Sequence, residues 1–272
     1  MSEMEAANEL KRLTSGIRIR SVALPAEHGG WSMLLEPIVL GLMLAPTVPG
    51  LCLSLGATGA FLARHPFKVA VVNWRRNQRS ARTVLAEGFA SLYISIAVLG
   101  LALAIKTGGT VLLLPLLFAM PWAILQLFYD SIGRSRALIP ELAGSISTGA
   151  VATAIAISGG WPLPVALGLW VILAARTVPT ILYVRARLRL LHGKQASPSG
   201  VIFVHLLGVL VVIGLATVLM APVLAVVAML ILLLRAMIGF SRFDRQVTAK
   251  KLGMREVVFG VMTILLVALG YR

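Results

Sequence analysis

Long runs of apolar residues, interrupted by short charged segments, constrain the fold of this chain more than any other feature. A helix needs about 20 residues to cross the hydrocarbon core of a bilayer, and lipid offers backbone groups no partner outside a helix or a closed barrel. Only 13% of the 272 residues are charged, and the apolar runs are continuous rather than alternating, which argues against a barrel. The pattern predicts an all-α, polytopic transmembrane helical bundle of about nine spans. The predicted spans are roughly Trp31–Val48, Leu51–Ala63, Phe89–Ile105, Val111–Phe128, Ile139–Ile157, Leu163–Tyr183, Val201–Met220, Ala221–Phe240 and Val257–Leu269.

The basic residues predict how the chain is oriented. All of the 25 Lys and Arg residues except Lys106 and Arg272 fall in the N-terminal segment or at every second junction between apolar runs. Because positively charged loops stay on the cytoplasmic side during insertion, we expect the N-terminus inside and the C-terminus outside. This placement accounts for the net charge of +15 without nucleic acid, and anionic phospholipid headgroups are the simpler counter-ions.

The domain organisation follows from the same pattern. Residues 1–25 are predicted to form a cytoplasmic or interfacial N-terminal segment, and residues 26–272 a single transmembrane domain of nine helices. The second and last runs are too short to span a membrane, so both must borrow flanking residues. We expect the second to continue as a helix through His65–Trp74, which has apolar residues at helical spacing.

Carboxylates and histidines at the basic ends of the spans are candidates for acid–base chemistry. Glu27, His28 and Glu36 surround the start of the first span, and Glu141 enters the fifth. An ionisable residue within a span faces a cavity or a partner, because insertion of its charge costs about 2.5–3.5 kcal/mol. These residues are either catalytic, through proton handling or ligand orientation, or counter-ions for cationic helix ends.

Cationic and polar residues of the second span predict a ligand-binding surface. Arg64, Lys68 and Arg75 recur on one helical stripe, with Asn73 on a neighbouring face. The alternative is ordinary positive-inside charge, which fits the later arginines better than Arg64 and Lys68. The predicted ligand-binding residues of this region also include His65 and Arg76.

Two further groups lie at the same predicted side. Asp130 and Arg134 are four residues apart and are expected to pair on one helical turn. Arg176 and Tyr183 share a face of the sixth span, with Arg185 beyond them, and Arg176 is expected to face a cavity. If these helices surround a cavity, its cationic mouth would attract phosphates, diphosphates or carboxylates, and apolar walls would hold a lipid tail.

The chain closely resembles the YwiC-like family of uncharacterised bacterial membrane proteins. The resemblance lies in Pro25-Ala-Glu-His-Gly-Gly-Trp31, followed by Glu36-Pro37, and in Ala63-Arg-His-Pro-Phe-Lys68. It implies a multi-pass protein of the bacterial cytoplasmic membrane and little about activity.

A more distant resemblance is to the UbiA superfamily of intramembrane prenyltransferases. The run Tyr129–Gly144 is similar to the segment before that family's fifth helix, and the nine-helix layout implies a UbiA-like architecture. The family's two aspartate-rich motifs hold Mg²⁺, but the matching stretches here, Asn73–Asn77 and Tyr183–Arg189, contain arginines and no carboxylate. Because Mg²⁺ requires oxygen ligands, metal-dependent prenyl transfer is not expected, and no metal or cofactor is predicted.

These observations together predict a cytoplasm-facing cationic cavity that binds an anionic, phosphorylated lipid, with isoprenoids among the candidates. The protein would be a degenerate UbiA-like protein, either a metal-independent transferase or a binding protein only. The alternatives are a transporter or flippase-like carrier of such an anion, or a non-catalytic scaffold of a membrane complex. Protein partners, the ligand and the reaction are open at this point.

Overall fold

The computed structural model describes residues 19–25, 28–77, 80–241 and 247–272, and gives only the backbone of residues 28 and 29. In these ranges the chain is helical, with no strand. After a short helix, α1 (Arg20–Ala23), nine longer helices follow: α2 (His28–Leu44), α3 (Val48–Arg75), α4 (Ala81–Gly108), α5 (Leu113–Ser131), α6 (Leu138–Ser158), α7 (Leu163–Leu191), α8 (Pro198–Thr217), α9 (Val223–Gly239) and α10 (Ala249–Gly270).

Six of these helices are long and apolar enough to cross a membrane, namely α4, α5, α6, α7, α8 and α10. The apolar helices α2 and α9 are shorter. Large apolar side chains such as Phe118, Phe128 and Phe203 are exposed on the outer helices, where water would be an unfavourable solvent. The chain is therefore a multi-pass membrane protein, and the count of nine spans stays a prediction.

The second predicted helix does continue as the sequence indicated. Helix α3 is one helix from Val48 to Arg75, with Pro66 inside it. Its first turn is capped by Thr47, whose hydroxyl accepts a hydrogen bond from the Gly50 amide at 3.1 Å. The last run also borrows flanking residues, as expected: α10 starts at Ala249, two turns before Val257. Most of the predicted N-terminal segment, residues 1–25, lies outside the described residues.

Helix α6 lies at the centre of the bundle because its residues are small. Most of its buried positions between 143 and 156 are Ala, Gly, Ser or Thr, which lets neighbouring backbones approach closely in the absence of large side chains. One apolar cluster joins α6 to α2, α7, α8, α9 and α10, and a second joins it to α2, α3, α4 and α5.

Close approaches between glycines fix the pairing of α3 with α4. A Cβ atom at Gly100 would lie 2.6 Å from the Gly56 amide nitrogen, and one at Gly59 would lie 2.7 Å from the Ala97 nitrogen. The later residue of α3, Gly59, thus meets the earlier residue of α4, Ala97, so the two helices are antiparallel. The same holds for α6 with α7, α7 with α8 and α9 with α10. As a result the ends of α3, α5, α7 and α9 lie on one side of the bundle, the basic end, together with the starts of α4, α6, α8 and α10.

Candidate functional site

An ion pair between α3 and the end of α5 organises the basic end. Arg64 donates to both carboxylate oxygens of Asp130, with 3.2 Å between Arg64 Nη2 and Asp130 Oδ1. The amide oxygen of Gln126, when turned toward Arg64, accepts at 2.8 Å from Nη1. The Asp130 side chain is 2% exposed and that of Arg64 is 25% exposed, so the carboxylate is enclosed while part of the guanidinium stays open.

The open part of Arg64 faces a cavity of about 520 Å³ between α2, α3 and the loop that follows α5. We call this cavity the basic pocket. Its lining combines five residues that are or can be cationic with one carboxylate and a few apolar or small groups. The lining residues are Pro25, Gly30, Phe61, Arg64, His65, Lys68, Asp130, Gly133, Arg134, Ser135, Arg136 and Ala137.

The loop of residues 132–137 forms the outer wall of the basic pocket and is tied to two helices. Lys68 Nζ donates to Ser135 Oγ at 2.5 Å, and Arg185 Nη1 donates to the Arg136 carbonyl oxygen at 3.2 Å. Arg185 also forms an ion pair with Glu141 at 2.5 Å, so α7 holds the start of α6 as well. Arg185 and Glu141 therefore position this wall, and neither lines the pocket.

The predicted pairing of Asp130 with Arg134 is wrong. Helix α5 ends at Ser131, so the two residues do not share a helical turn. The Asp130 carboxylate is bound by Arg64, and Arg134 is exposed at the pocket lining. Arg134 is consequently available to a ligand.

The other predicted ligand-binding residues of α3 lie beyond the basic pocket. Asn73 donates to Thr83 Oγ1 at 3.0 Å and so joins α3 to α4. Arg75 Nη1 donates to the Ser131 carbonyl oxygen at 3.1 Å, and Arg76, the C-terminal cap of α3, is exposed. Of the predicted acid–base group, Glu27 and the side chain of His28 lie outside the described residues.

A second group of charges is buried inside the bundle. Arg176 on α7 forms an ion pair with Glu36 on α2, and the two side chains are 6% and 9% exposed. Arg235 on α9 donates from Nη1 to both carboxylate oxygens of Glu256 on α10, at 2.8 and 3.0 Å. These four residues are called the charge quartet below.

The two pairs of the charge quartet adjoin each other across α10. Gly260 follows Glu256 by one helical turn, and a Cβ atom at Gly260 would lie 2.3 Å from Glu36 Oε1 and 2.6 Å from Arg176 Nη2. Arg176, Arg235 and Glu256 lie about 18–21 Å along the axis from the ends of their helices opposite the basic end, at 1.5 Å per residue. The hydrocarbon core is about 30 Å thick, so with the nine predicted spans this depth would place the quartet inside it, nearer the basic end.

Aromatic and polar side chains complete the surroundings of Arg235. Its guanidinium carbon lies 4.2 Å from the centre of the Tyr183 ring, and Nη2 donates to Thr180 Oγ1 at 3.2 Å. Stacking of this kind suits a weakly hydrated guanidinium. His205 packs edge-on against Tyr183 and donates from Nδ1 to the Val201 carbonyl oxygen at 2.8 Å. Tyr183 therefore belongs with the charge quartet and not with the basic pocket.

Sequence reasoning treated Glu36 and Arg176 separately and missed Glu256 altogether. Glu256 directly precedes the apolar run that begins at Val257, and it lies within α10 because that helix starts at Ala249. A signal for it was present in the sequence: Arg235 is a lone charge in an apolar helix, and such a residue requires a partner of opposite sign. Within the described ranges, no three His, Cys, Asp or Glu residues form a group that would hold a metal ion.

Comparison with known proteins supports the first of the two resemblances. The family model of YwiC-like proteins matches residues 24–156, which confirms that resemblance and covers α2, α3, α4, α5 and most of α6. The matched region contains every residue that lines the basic pocket. No curated protein and no solved structure matches the chain, and the UbiA-like architecture stays a prediction.

Proposed function

We propose that this membrane protein, YwiC-like over residues 24–156, binds the phosphate headgroup of an anionic lipid in the basic pocket. The observation that carries the proposal is a cavity of about 520 Å³ lined by Arg64, His65, Lys68, Arg134 and Arg136. A pocket of this size holds a phosphate or diphosphate together with the first part of a lipid chain.

The chemistry of the lining favours a phosphate over a neutral polar group. Arginine presents several donors in a planar fork, and its charge-assisted hydrogen bonds to phosphate are short and strong. Arg64 is held in place by Asp130 from behind, so its open donors are oriented before a ligand arrives. Preorganisation of this kind lowers the entropy lost on binding.

The position of the pocket favours a lipid as the source of the phosphate. Gly30 and Phe61 extend the lining toward the apolar part of α2 and α3, which is where an acyl or isoprenoid chain would lie. With the predicted orientation, the basic end faces the cytoplasm, and lipid headgroups of that leaflet reach the pocket without crossing the membrane.

In the proposed site, arginine side chains bind the phosphate in the place of a metal ion. Glu36 and Glu141, two of the predicted catalytic residues, are each held by an arginine outside the pocket. They are therefore left out of the proposed site. Within the pocket, Asp130 is likewise held by Arg64, so it is assigned no proton-accepting role.

The test is lipid binding to the purified, delipidated protein in detergent, followed by native mass spectrometry. The probes are phosphatidic acid and farnesyl diphosphate, with phosphatidylcholine as the zwitterionic comparison. Loss of one charge-assisted contact is worth about 1.5–3 kcal/mol, so Arg64→Gln should weaken binding of an anionic probe by about tenfold to a hundredfold.

Arg82→Gln is the matched control, because Arg82 is exposed on the first turn of α4 and away from the pocket. It removes the same charge from the same end of the molecule and should leave binding within about twofold, as expected of a rim charge. Equal losses in the two variants, or no preference for the anionic probes over phosphatidylcholine, would contradict the proposal. Binding of inorganic phosphate as strongly as the lipids would show a phosphate site with no role for the lipid chain.

A further inference from the structure

The charge quartet is a buried group of opposite charges that neither pocket binding nor helix packing requires. Its members come from four helices, α2, α7, α9 and α10, and Arg176, Arg235 and Glu36 are each less than 10% exposed. Buried ion pairs are weak evidence for stability, since well-packed apolar residues of similar volume often stabilise as much or more. Ionisable residues at this depth in a membrane mark sites that bind ions or protons.

Both arginines have hydrogen-bonding capacity that the surrounding protein leaves unused. The Nε atoms of Arg176 and Arg235 are buried and have no hydrogen-bond partner among the described residues. A buried unsatisfied donor costs about 1–3 kcal/mol, and more for a charged group. An anion placed beside Arg176 would use donors that the single carboxylate of Glu36 does not.

Each of the two helices that carry the Glu36–Arg176 pair contains a proline close to the pair. Pro37 directly follows Glu36 in α2, and Pro179 lies three residues after Arg176 in α7. Each proline lacks an amide donor, so the carbonyl groups of Met33 and Ala175 lose their helical partners. Backbone carbonyl groups without a helical partner also occur at the ion sites of membrane transporters, where the helices are discontinuous.

The cost of an uncompensated buried charge restricts how the Glu36–Arg176 ion pair can separate. Arginine stays protonated in proteins, so Arg176 can leave Glu36 only if another negative charge replaces the carboxylate. Glu36, released from Arg176, would remain as an uncompensated buried anion unless it took up a proton. Replacement by an anion and protonation of the carboxylate therefore have to occur together.

We propose that Arg176 is a binding site for a small monovalent anion that enters with one proton, and that Glu36 accepts the proton. Before binding, the quartet holds two carboxylates and two guanidinium groups and is neutral. Afterwards the proton, taken from water, sits on a Glu36 carboxyl oxygen and the anion sits on Arg176, so the quartet is neutral again. The site is independent of the basic pocket: Glu36 lies six positions after Gly30 on α2, about 9 Å along the helix at 1.5 Å per residue.

The charged groups around Glu36 come from all sides of the pair. Arg176 on α7 forms the ion pair with Glu36, and Glu256 on α10 is close enough to repel its carboxylate. Arg235 on α9 is paired with Glu256 and so acts on Glu36 indirectly. The helices α3 and α6 also pack against α2. Their ionisable side chains Arg64 and Glu141 are held by Asp130 and Arg185 at the basic end, and His65 and Lys68 line the basic pocket.

The test uses formate as the probe, because its carboxylate reproduces the Glu36 side chain. In the detergent-purified wild-type chain, affinity for formate should rise about tenfold for each unit by which the pH is lowered, as one coupled proton requires. Glu36→Gln imitates the protonated carboxyl, so this variant should bind formate with an affinity that does not change with pH. The double variant Glu36→Gln with Arg176→Met should not bind at this site.

A second measurement covers the case in which Glu36→Gln fails to fold. Addition of formate to the wild-type chain in weakly buffered solution should raise the pH by an amount that corresponds to one proton taken up per bound anion. Formate binding without proton uptake, no formate binding, or pH-dependent binding that persists in Glu36→Gln would each overturn the proposal. Arg64→Gln separates the two sites, because a loss of formate affinity in this variant would place the bound anion in the basic pocket and overturn the proposal.

Discussion

Replacement of Gly260 by alanine tests whether α10 packs directly against the Glu36–Arg176 pair. The added methyl group would lie 2.3 Å from Glu36 Oε1 and 2.6 Å from Arg176 Nη2. Neither atom moves freely, because each belongs to the buried ion pair. The methyl group therefore fits only if the pair is displaced and a hydrogen bond between its members is weakened or broken.

The expected size of the effect combines two opposing contributions. A hydrogen bond to a charged group contributes about 1.5–3 kcal/mol, and burial favours the upper end. Alanine in place of glycine stabilises a helix interior by about 1 kcal/mol. The net loss is about 2 kcal/mol, which for a chain of this size corresponds to a fall in Tm of about 4–8 °C.

The same helix offers a matched control in Gly253, where a Cβ atom would have no neighbour within 4 Å. Gly253→Ala makes the same chemical change and should leave Tm unchanged or raise it slightly, through helix propensity alone. Thermal unfolding of both variants in one detergent, followed by tryptophan fluorescence, measures the difference. If Gly260→Ala is as stable as Gly253→Ala, the ion pair does not lie against α10 and the reasoning about the charge quartet fails.

Three further predictions concern stability and orientation. Thr47→Ala removes the cap of α3 and should destabilise the chain by about 1 kcal/mol in thermal unfolding; an unchanged Tm would contradict the cap. Glu256→Gln leaves Arg235 buried without its counter-ion and should lower the free energy of unfolding by about 3–5 kcal/mol, whereas the double variant Glu256→Leu with Arg235→Met should recover most of that loss. Equal stability of the wild type and both variants would show that the pair is not formed. In a cysteine-free background, a membrane-impermeant maleimide added to intact cells should label a cysteine at position 106 and not one at position 194, because positive loops stay inside; the reverse pattern would invert the predicted orientation.

The helices were predictable because their signal is local. Apolar residues follow Val48 and recur at positions 67–72, where only Lys68 is charged. Helix α3 is accordingly one helix to Arg75. Where the sequence prediction was wrong, local spacing was applied across a helix end. Asp130 and Arg134 have the spacing of a helical pair, but α5 stops at Ser131. Glu256 was not chosen as a site residue because it lies outside the apolar run, although the last helix was expected to extend beyond that run.

The sequence by itself determined that this is a helical membrane protein with its basic residues at alternate junctions, because hydrophobicity and positive charge act on each segment separately during insertion. It also indicated that the lone charges in apolar helices have partners, since their burial alone is too costly. Only the tertiary structure decided which residues those partners are. Glu36 and Arg176 are 140 positions apart and meet because small residues let α2, α7 and α10 pack closely. Such pairings depend on the arrangement of the helices in space, which the composition and spacing within each helix do not specify.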